Sequence, residues 1–274
     1  MENNIVIKND ITNTLKDQKI MIYGTGHVAM KFYKGLAIRG LEGNVLCFIV
    51  SKKQSEKADI NGIPVKAIEE ISLDEKSIIC LAVHEVLKAQ IEATVKKHGI
   101  GNYIWIYPYL FELVLGPPLK RNIEVPLTKI LKRCDDYRIA IRYLAIENYF
   151  GKNSIGFRIY EKAQAAYCGE KTARKRTEKF CELIDNWQIN GYDSGKVIMI
   201  DDNYEILDGT HRVAVAQYFG DKVIKCDVFK NSPVFVEWTG ETALMSRKTI
   251  WDLALTNEEI KAIENIYQFI KEKR

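Results

Sequence analysis

Tyr204-Glu205-Ile206-Leu207-Asp208-Gly209-Thr210-His211-Arg212-Val213-Ala214 sets a carboxylate, a glycine, a hydroxyl, an imidazole and a guanidinium in succession between two ordered elements. Upstream, Val197-Ile198-Met199-Ile200 reads as a short buried strand and Asp201-Asp202-Asn203 as a tight turn. Tyr204-Glu205-Ile206-Leu207 then reads as a second strand, antiparallel to the first. Downstream, Arg212 to Phe219 has helical character and Gly220 stops it. The five residues Asp208 to Arg212 are therefore predicted at a strand-to-helix turn, where unpaired backbone N–H groups and the positive end of a helix dipole face an anion. A competing reading makes Asp-Gly an ordinary turn pair and His-Arg a helix start with capping and surface duties only.

These residues resemble the signature of the ParB/sulfiredoxin superfamily, in which such a turn opens a helix and holds nucleotide phosphates. The likeness runs from about Phe180 to Phe229. Sulfiredoxins carry a cysteine where this chain has Thr210, so sulfur repair is not expected. The chromosome-partitioning ParB branch, which binds CTP, usually reads Gly-Glu-Arg-Arg against Gly209-Thr210-His211-Arg212 here. The free serine kinase branch reads Asp-Gly-His-His-Arg, matched by Asp208, Gly209, His211 and Arg212 with Thr210 as the one change.

That resemblance implies transfer of phosphate from ATP or ADP, with Mg²⁺, to a small hydroxyl compound. The N–H groups of Gly209 and Thr210 would cradle phosphate oxygens, and Arg212 and His211 would neutralise charge developing in transfer. Asp208 would hold Mg²⁺ or position the acceptor hydroxyl. Glu170, the acid nearest the family's spacing, would be the general base, although after Gly169 it also reads as an acid at a helix N-terminus.

At 274 residues the chain has room for two domains, each with its own core. Hydrophobic residues at 47% and charged residues at 28% place it among globular proteins, with no apolar run near the roughly 18 residues of a membrane span. Met1-Glu2-Asn3-Asn4-Ile5 lacks the basic and apolar parts of a secretory signal, so a cytoplasmic protein is expected. The six cysteines form no Cys-x-x-Cys pair, and Cys47, Cys80 and Cys226 sit in apolar strand contexts as reduced core residues; Cys134, Cys168 and Cys181 are the others. Four histidines without ligand spacing give a structural zinc site little support. A net charge of +4 does not call for nucleic acid.

In the first half, Lys19 to Tyr23 reads as a strand running into Gly24-Thr25-Gly26-His27-Val28-Ala29, and Met30 to Leu36 has helical spacing. Strands at Val45–Val50, Ser77–Ala82 and Tyr103–Tyr107 alternate with helices near Ile68–Ile71 and across Val86–Lys97, which predicts a Rossmann-like parallel sheet in residues 1–116. Asn61 to Val65 is expected to be irregular. The turn Gly24-x-Gly26-x-x-Ala29 has the form of a phosphate cradle, but the second strand ends in Val50-Ser51-Lys52-Lys53 rather than the acid that holds an NAD ribose. Redox chemistry on NAD is not expected. Residues 19 to 108 resemble the N-terminal domains of bacterial sugar acetyltransferases and surface-polysaccharide enzymes through Tyr23-Gly24-Thr25-Gly26, Ile60-Asn61-Gly62-Ile63-Pro64-Val65 and Tyr107-Pro108. The resemblance implies a nucleotide-sugar ligand, while the left-handed β-helix repeats of the acetyltransferases are absent. His84, past the third main strand, reads as a ligand contact or as a helix cap.

Gly116-Pro117-Pro118 marks a linker, and Pro117, Pro118 and Pro126 are expected to keep residues 116 to 126 out of helix and strand. Residues 117–274 then form the ParB/sulfiredoxin-like α+β domain, with helices at Asp136–Phe150, Gly156–Ala166 and Phe180–Trp187. The basic cluster Lys171 to Lys179 reads as a solvated helix face, or as a lining for phosphate or nucleic acid. Thr256-Asn257-Glu258-Glu259 is a capping box opening a last helix through Ile270. Two further function classes stay open beside the kinase: a non-catalytic nucleotide sensor, and DNA binding, for which no helix-turn-helix is apparent. A homo-oligomer is compatible with the sequence.

Overall fold

The computed structural model describes residues 10–52, 59–133, 136–191, 197–239 and 247–272. The readings made on Met1 to Ile5, Lys53 and Cys134 lie outside them. The chain divides into two compact units: residues 1–117 with 232–240, and residues 118–231 with 241–274. Among the described residues no helix is long and apolar enough to cross a membrane.

The first unit contains α1 (Ile11–Leu15), β1 (Lys19–Tyr23), α2 (His27–Ile38), β2 (Val45–Val50), β3 (Asp59–Ile60), β4 (Ile63–Ala67), β5 (Ser77–Leu81), α3 (Glu85–Lys97), β6 (Tyr103–Trp105) and α4 (Leu110–Leu115). The sheet order is β3-β4-β2-β1-β5-β6, parallel throughout except for the β3–β4 pair. β1 and β5 are nearly continuous apolar runs, as strands covered on both faces must be, and β5 is buried at every position. Asn61-Gly62, expected within an irregular stretch, is instead the two-residue turn of the β3–β4 hairpin. Both residues have positive φ, 54° and 78°, the backbone of a tight hairpin turn that Asn-Gly suits.

The second unit follows with β7 (Lys120–Pro126), α5 (Leu127–Arg133), α6 (Arg138–Tyr149), α7 (Gly156–Cys168), α8 (Glu170–Asn190), β8 (Ile198–Asp201), β9 (Ile206–Asp208), α9 (Thr210–Phe219) and β10 (Val223–Phe229). The chain continues through α10 (Pro233–Thr239) and α11 (Arg247–Asp252) to α12 (Asn257–Glu272). The sheet runs β7-β10-β8-β9, with β10 antiparallel to β7 and parallel to β8, and β8 antiparallel to β9. Mixed α/β architecture thus holds in both halves.

Two corrections concern the linker. Residues 120–126, expected to be unpaired, form β7: the three prolines did break the helix pattern, but an edge strand tolerates a proline at its end, and Pro126 takes that place opposite Val223. Nor does the chain stay in the second unit, because α10 packs into the first. Trp238 is only 3% exposed there, donates its indole N–H to the Lys31 carbonyl at 2.9 Å and meets Phe111 edge-on at 5.5 Å. The short Ser232–Thr239 segment carries no periodic signal long enough to reveal that return.

In the second unit α9 is a core helix, with Val213 to Ala216 all buried, and α6 and α8 pack against it. α7 starts hard against α6: a Cβ on Gly156 would sit 2.0 Å from the Leu144 carbonyl oxygen, so only glycine fits. Asn153 accepts from the Ile155 and Gly156 N–H groups and fixes that start.

Candidate functional site

The β8–β9 hairpin is organised by Asp201, whose buried carboxylate accepts from the N–H groups of Asn203 and Glu205 and from the Asn231 amide. Asp208 ends β9 with its side chain exposed, opposite Met199 in register. Gly209 follows in the left-handed region at φ 103°, and a Cβ there would lie 2.5 Å from Ile198 Cγ2. Close approach to β8 therefore demands the glycine. Gly209 caps α9 without any side-chain hydrogen bond, and the first intrahelical bond runs from Val213 to the Gly209 carbonyl. The N–H groups of Thr210, His211 and Arg212 thus open the helix at its positive end. The expected turn, strand pair and helix are present, with α9 beginning two residues earlier than its apolar pattern suggests.

Thr210 is buried. Arg212 donates to the Val197 carbonyl at 3.2 Å, which anchors its guanidinium beside the start of β8. His211 occupies a different position from the one its expected role requires. Its Nε2 shares a 2.8 Å hydrogen bond with the Tyr160 hydroxyl, and its ring meets Phe180 edge-on at 4.9 Å. Burial, then the fields of Arg142, Arg176, Arg138 and Arg212, hold its pKa well below the ordinary histidine value. The imidazole is neutral at pH 7. The positive charges beside it are those of the arginines.

Three of those arginines, Arg142, Arg138 and Arg176, come from helices that the motif does not include. Arg142 stands in the middle of α6, where every residue from Ile139 to Ile146 is buried, and is itself 5% exposed. Its Nη1 donates to the Arg138 carbonyl at 2.9 Å, and its buried Nε has no hydrogen-bond partner. Burial, with the neighbouring arginines, lowers its pKa to about 10. Arg176 of α8 reaches inward and donates to Gln164 at 2.9 Å. Arg138 is held by the buried Asp136 carboxylate at 2.5 Å. Tyr160, buried between them, has its pKa pushed up to about 12 by desolvation and stays protonated.

Sequence reasoning missed Arg142, Arg138, Tyr160 and Gln164. The available signal was an arginine interrupting Ile139-Ala140-Ile141 and Tyr143-Leu144-Ala145-Ile146, a charge where only apolar residues belong. The basic cluster on α8 splits: Lys171, Arg174, Lys175 and Lys179 are exposed, while Arg176 shares the inward stripe of Ala173 and Phe180. Glu170 is exposed in the first turn of α8. The helix rise places it roughly 15 Å along the axis from Phe180, the residue that touches His211. Glu170 therefore stands at one end of α8, while Phe180 touches His211 from its middle. Among the described residues no group of three or more His, Cys, Asp or Glu side chains converges. Mg²⁺ is commonly held by one or two carboxylates together with substrate phosphates, and Asp208 fits such a part.

The first unit has a corner of its own. Gly24, at φ 116°, donates its N–H to the Ile49 carbonyl at 2.9 Å, and a Cβ there would stand 3.1 Å from the Ala82 carbonyl oxygen. Gly26 caps α2 with open space where its Cβ would be, and Thr25 lies between them, partly buried. Ser51 is bound to the Tyr23 hydroxyl at 2.6 Å. His84 caps α3 through Nδ1 and packs on Tyr107 at 4.9 Å, which is its structural reading. Comparison of the whole chain with family models, curated proteins and solved structures finds no match.

Proposed function

We propose that the protein is a nucleotide-dependent phosphotransferase acting on a small hydroxyl compound, with the phosphates of ATP or ADP at the Gly209–Arg212 corner. The observation that carries this reading is the convergence of an uncapped helix start with arginines from three helices, α6, α8 and α9, around one neutral histidine. In this reading the second unit is ParB/sulfiredoxin-like and the first Rossmann-like, the latter taking a nucleotide-sugar of surface-polysaccharide metabolism at Gly24, Thr25 and Gly26. A cytoplasmic setting is supported by the buried free thiols of Cys47, Cys80 and Cys226.

The N–H groups of Gly209 and Thr210 cradle the phosphate, and Arg212 offsets its charge. Tyr160 fixes the His211 ring, so the start of α9 is rigid when a ligand arrives. Asp208 faces solvent at the same corner, where it orients an acceptor hydroxyl or holds Mg²⁺ with the phosphates. The acceptor oxygen forms a bond to the terminal phosphorus as the bond from that phosphorus to the bridging oxygen of the nucleotide breaks; ADP or AMP leaves, and the hydroxyl proton passes to the Asp208 carboxylate or to water. The placement of Glu170 in the first turn of α8, ten residues before the Phe180 that touches His211, favours a second reading, a nucleotide sensor without turnover.

Calorimetry and a phosphate-transfer assay over serine-like and sugar-like acceptors test both. Arg212→Ala should weaken nucleotide binding roughly ten- to a hundredfold, the worth of a charge-assisted contact. Asp208→Asn should still bind nucleotide while transfer falls steeply. Unchanged affinity in folded Arg212→Ala rejects the site. Binding by the wild type with no transfer to any acceptor selects the sensor.

A further inference from the structure

Arg142 lies outside the strand-to-helix motif and has no structural employment for all its donors. A guanidinium removed from water ordinarily meets a carboxylate, because an isolated buried charge is strongly unfavourable. Of the four groups acting most strongly on Arg142, Tyr160 comes first, Arg138 and Arg176 are like charges, and the carboxylate, Asp136, already holds Arg138 through Nε and Nη2. The Arg142 Nε is left inside the protein with no acceptor. Arg176 approaches from α8, fixed by the buried Gln164, and Tyr160 brings a hydroxyl from α7. Three helices therefore deliver hydrogen-bonding groups to one interior beside Arg142. A water molecule could accept from Nε but would leave the charge unanswered. A compact oxyanion satisfies both, and its two oxygens match the guanidinium fork.

We propose that Arg142 and Arg176, with the Tyr160 hydroxyl, form a buried subsite for a compact oxyanion, separate from the backbone cradle at Gly209 and Thr210. It deepens the phosphate-site reading and rests on it only for the source of the oxyanion. That source is either the terminal phosphate of the nucleotide or a carboxylate on the acceptor, which makes the acceptor a small hydroxy acid.

The test uses the full chain at low ionic strength, with inorganic phosphate as probe, followed by calorimetry and thermal unfolding. Phosphate should bind the wild type and raise its unfolding temperature, since a ligand selective for the folded state stabilises it. In Arg142→Met, which preserves the volume and apolar contacts of the α6 position, phosphate affinity should fall about tenfold or more. Arg176→Gln provides the same reading should Arg142→Met not fold, as judged by circular dichroism. Two arms separate the sources. Weakened binding of ATP but not AMP in the variant assigns the terminal phosphate; weakened binding of L-serine but not its amide assigns an acceptor carboxylate. Either outcome supports the subsite. No phosphate response in the wild type, or an unchanged affinity in a folded variant, overturns it. Loss of nucleotide binding in Arg212→Ala with phosphate binding still dependent on Arg142 leaves the subsite standing while separating it from the cradle.

Discussion

The corners at Gly24 and Gly209 share one backbone device and differ in what surrounds it. Each places a glycine at positive φ, 116° and 103°, at a strand end, and each leads into a helix whose start has no side-chain cap. At the first, the neighbours are backbone carbonyls of Ile49 and Ala82 and a serine bound to a tyrosine. At the second, four arginines act on the residue that follows the turn. The glycine turn supplies only the shape of a cradle, which a close approach of two strands also requires. Charge brought in by other helices is what distinguishes a phosphate site from a tight corner.

The largest test of this comparison is on the glycines themselves. Gly209→Ala should cost roughly 2–5 kcal/mol, combining an unfavourable φ with a Cβ forced into Ile198. Gly24→Ala should cost less, about 1–3 kcal/mol, since its Cβ stands 3.1 Å from the Ala82 oxygen and a small shift relieves it. Urea unfolding of the full chain measures both, and equal costs would remove the packing difference between the corners.

A smaller effect concerns how the second unit treats its buried charges. Glu259, 1% exposed, has its burial cost outweighed by the Thr256 N–H and by Arg158 and Lys162, which hold its pKa at about 2. A carboxylate lowered in this way contributes stability above its ordinary value near 4.5 and loses it as pH falls toward 2. His211 is lowered too, but for a base the consequence begins earlier. Below the ordinary histidine value of 6.5 the unfolded chain takes up a proton that the folded chain refuses, so stability declines from there downward. Unfolding free energy against pH should thus fall in two stages. His211→Asn should flatten the first, and Glu259→Gln, costing about 1–3 kcal/mol at pH 7, should flatten the second. A profile level between pH 6.5 and 4.5 in the wild type would contradict the buried neutral imidazole.

The smallest expected effect is none at all. Where β2 ends, Val50-Ser51-Lys52 offers no acid to hold a ribose, so NADH should leave its fluorescence and the unfolding temperature unchanged. Tight, saturable NADH binding would give the first corner the ligand that its surroundings do not suggest.

Much of this architecture is legible in the sequence. β1 and β2 fall where their apolar runs place them, Gly220 ends α9, and the Thr256–Glu259 capping box is closed by reciprocal hydrogen bonds at 2.8 and 3.2 Å. β7 was not legible, because its Lys-Arg-Asn start and terminal proline describe an edge strand whose partner, β10, lies about a hundred residues on. The candidate site was legible at its corner and not at its walls. The turn at Gly209 was plain and the α9 start was off by two residues, whereas His211 read as a charged ligand and is neutral.

What the sequence by itself determined is short-range: alternation of strand and helix, the glycine that must bend at Gly209, the cap that opens α12. These follow from sterics and from hydrogen bonds between residues a few positions apart. Only the tertiary structure decided that α10 belongs with the first unit, that Arg142 is buried, and that Tyr160 bonds His211 within the field of Arg176. The reason is that desolvation and the field at a side chain are set by whatever packs against it. For Arg142 and His211 those neighbours come from helices tens of residues away in the chain, which no local pattern encodes.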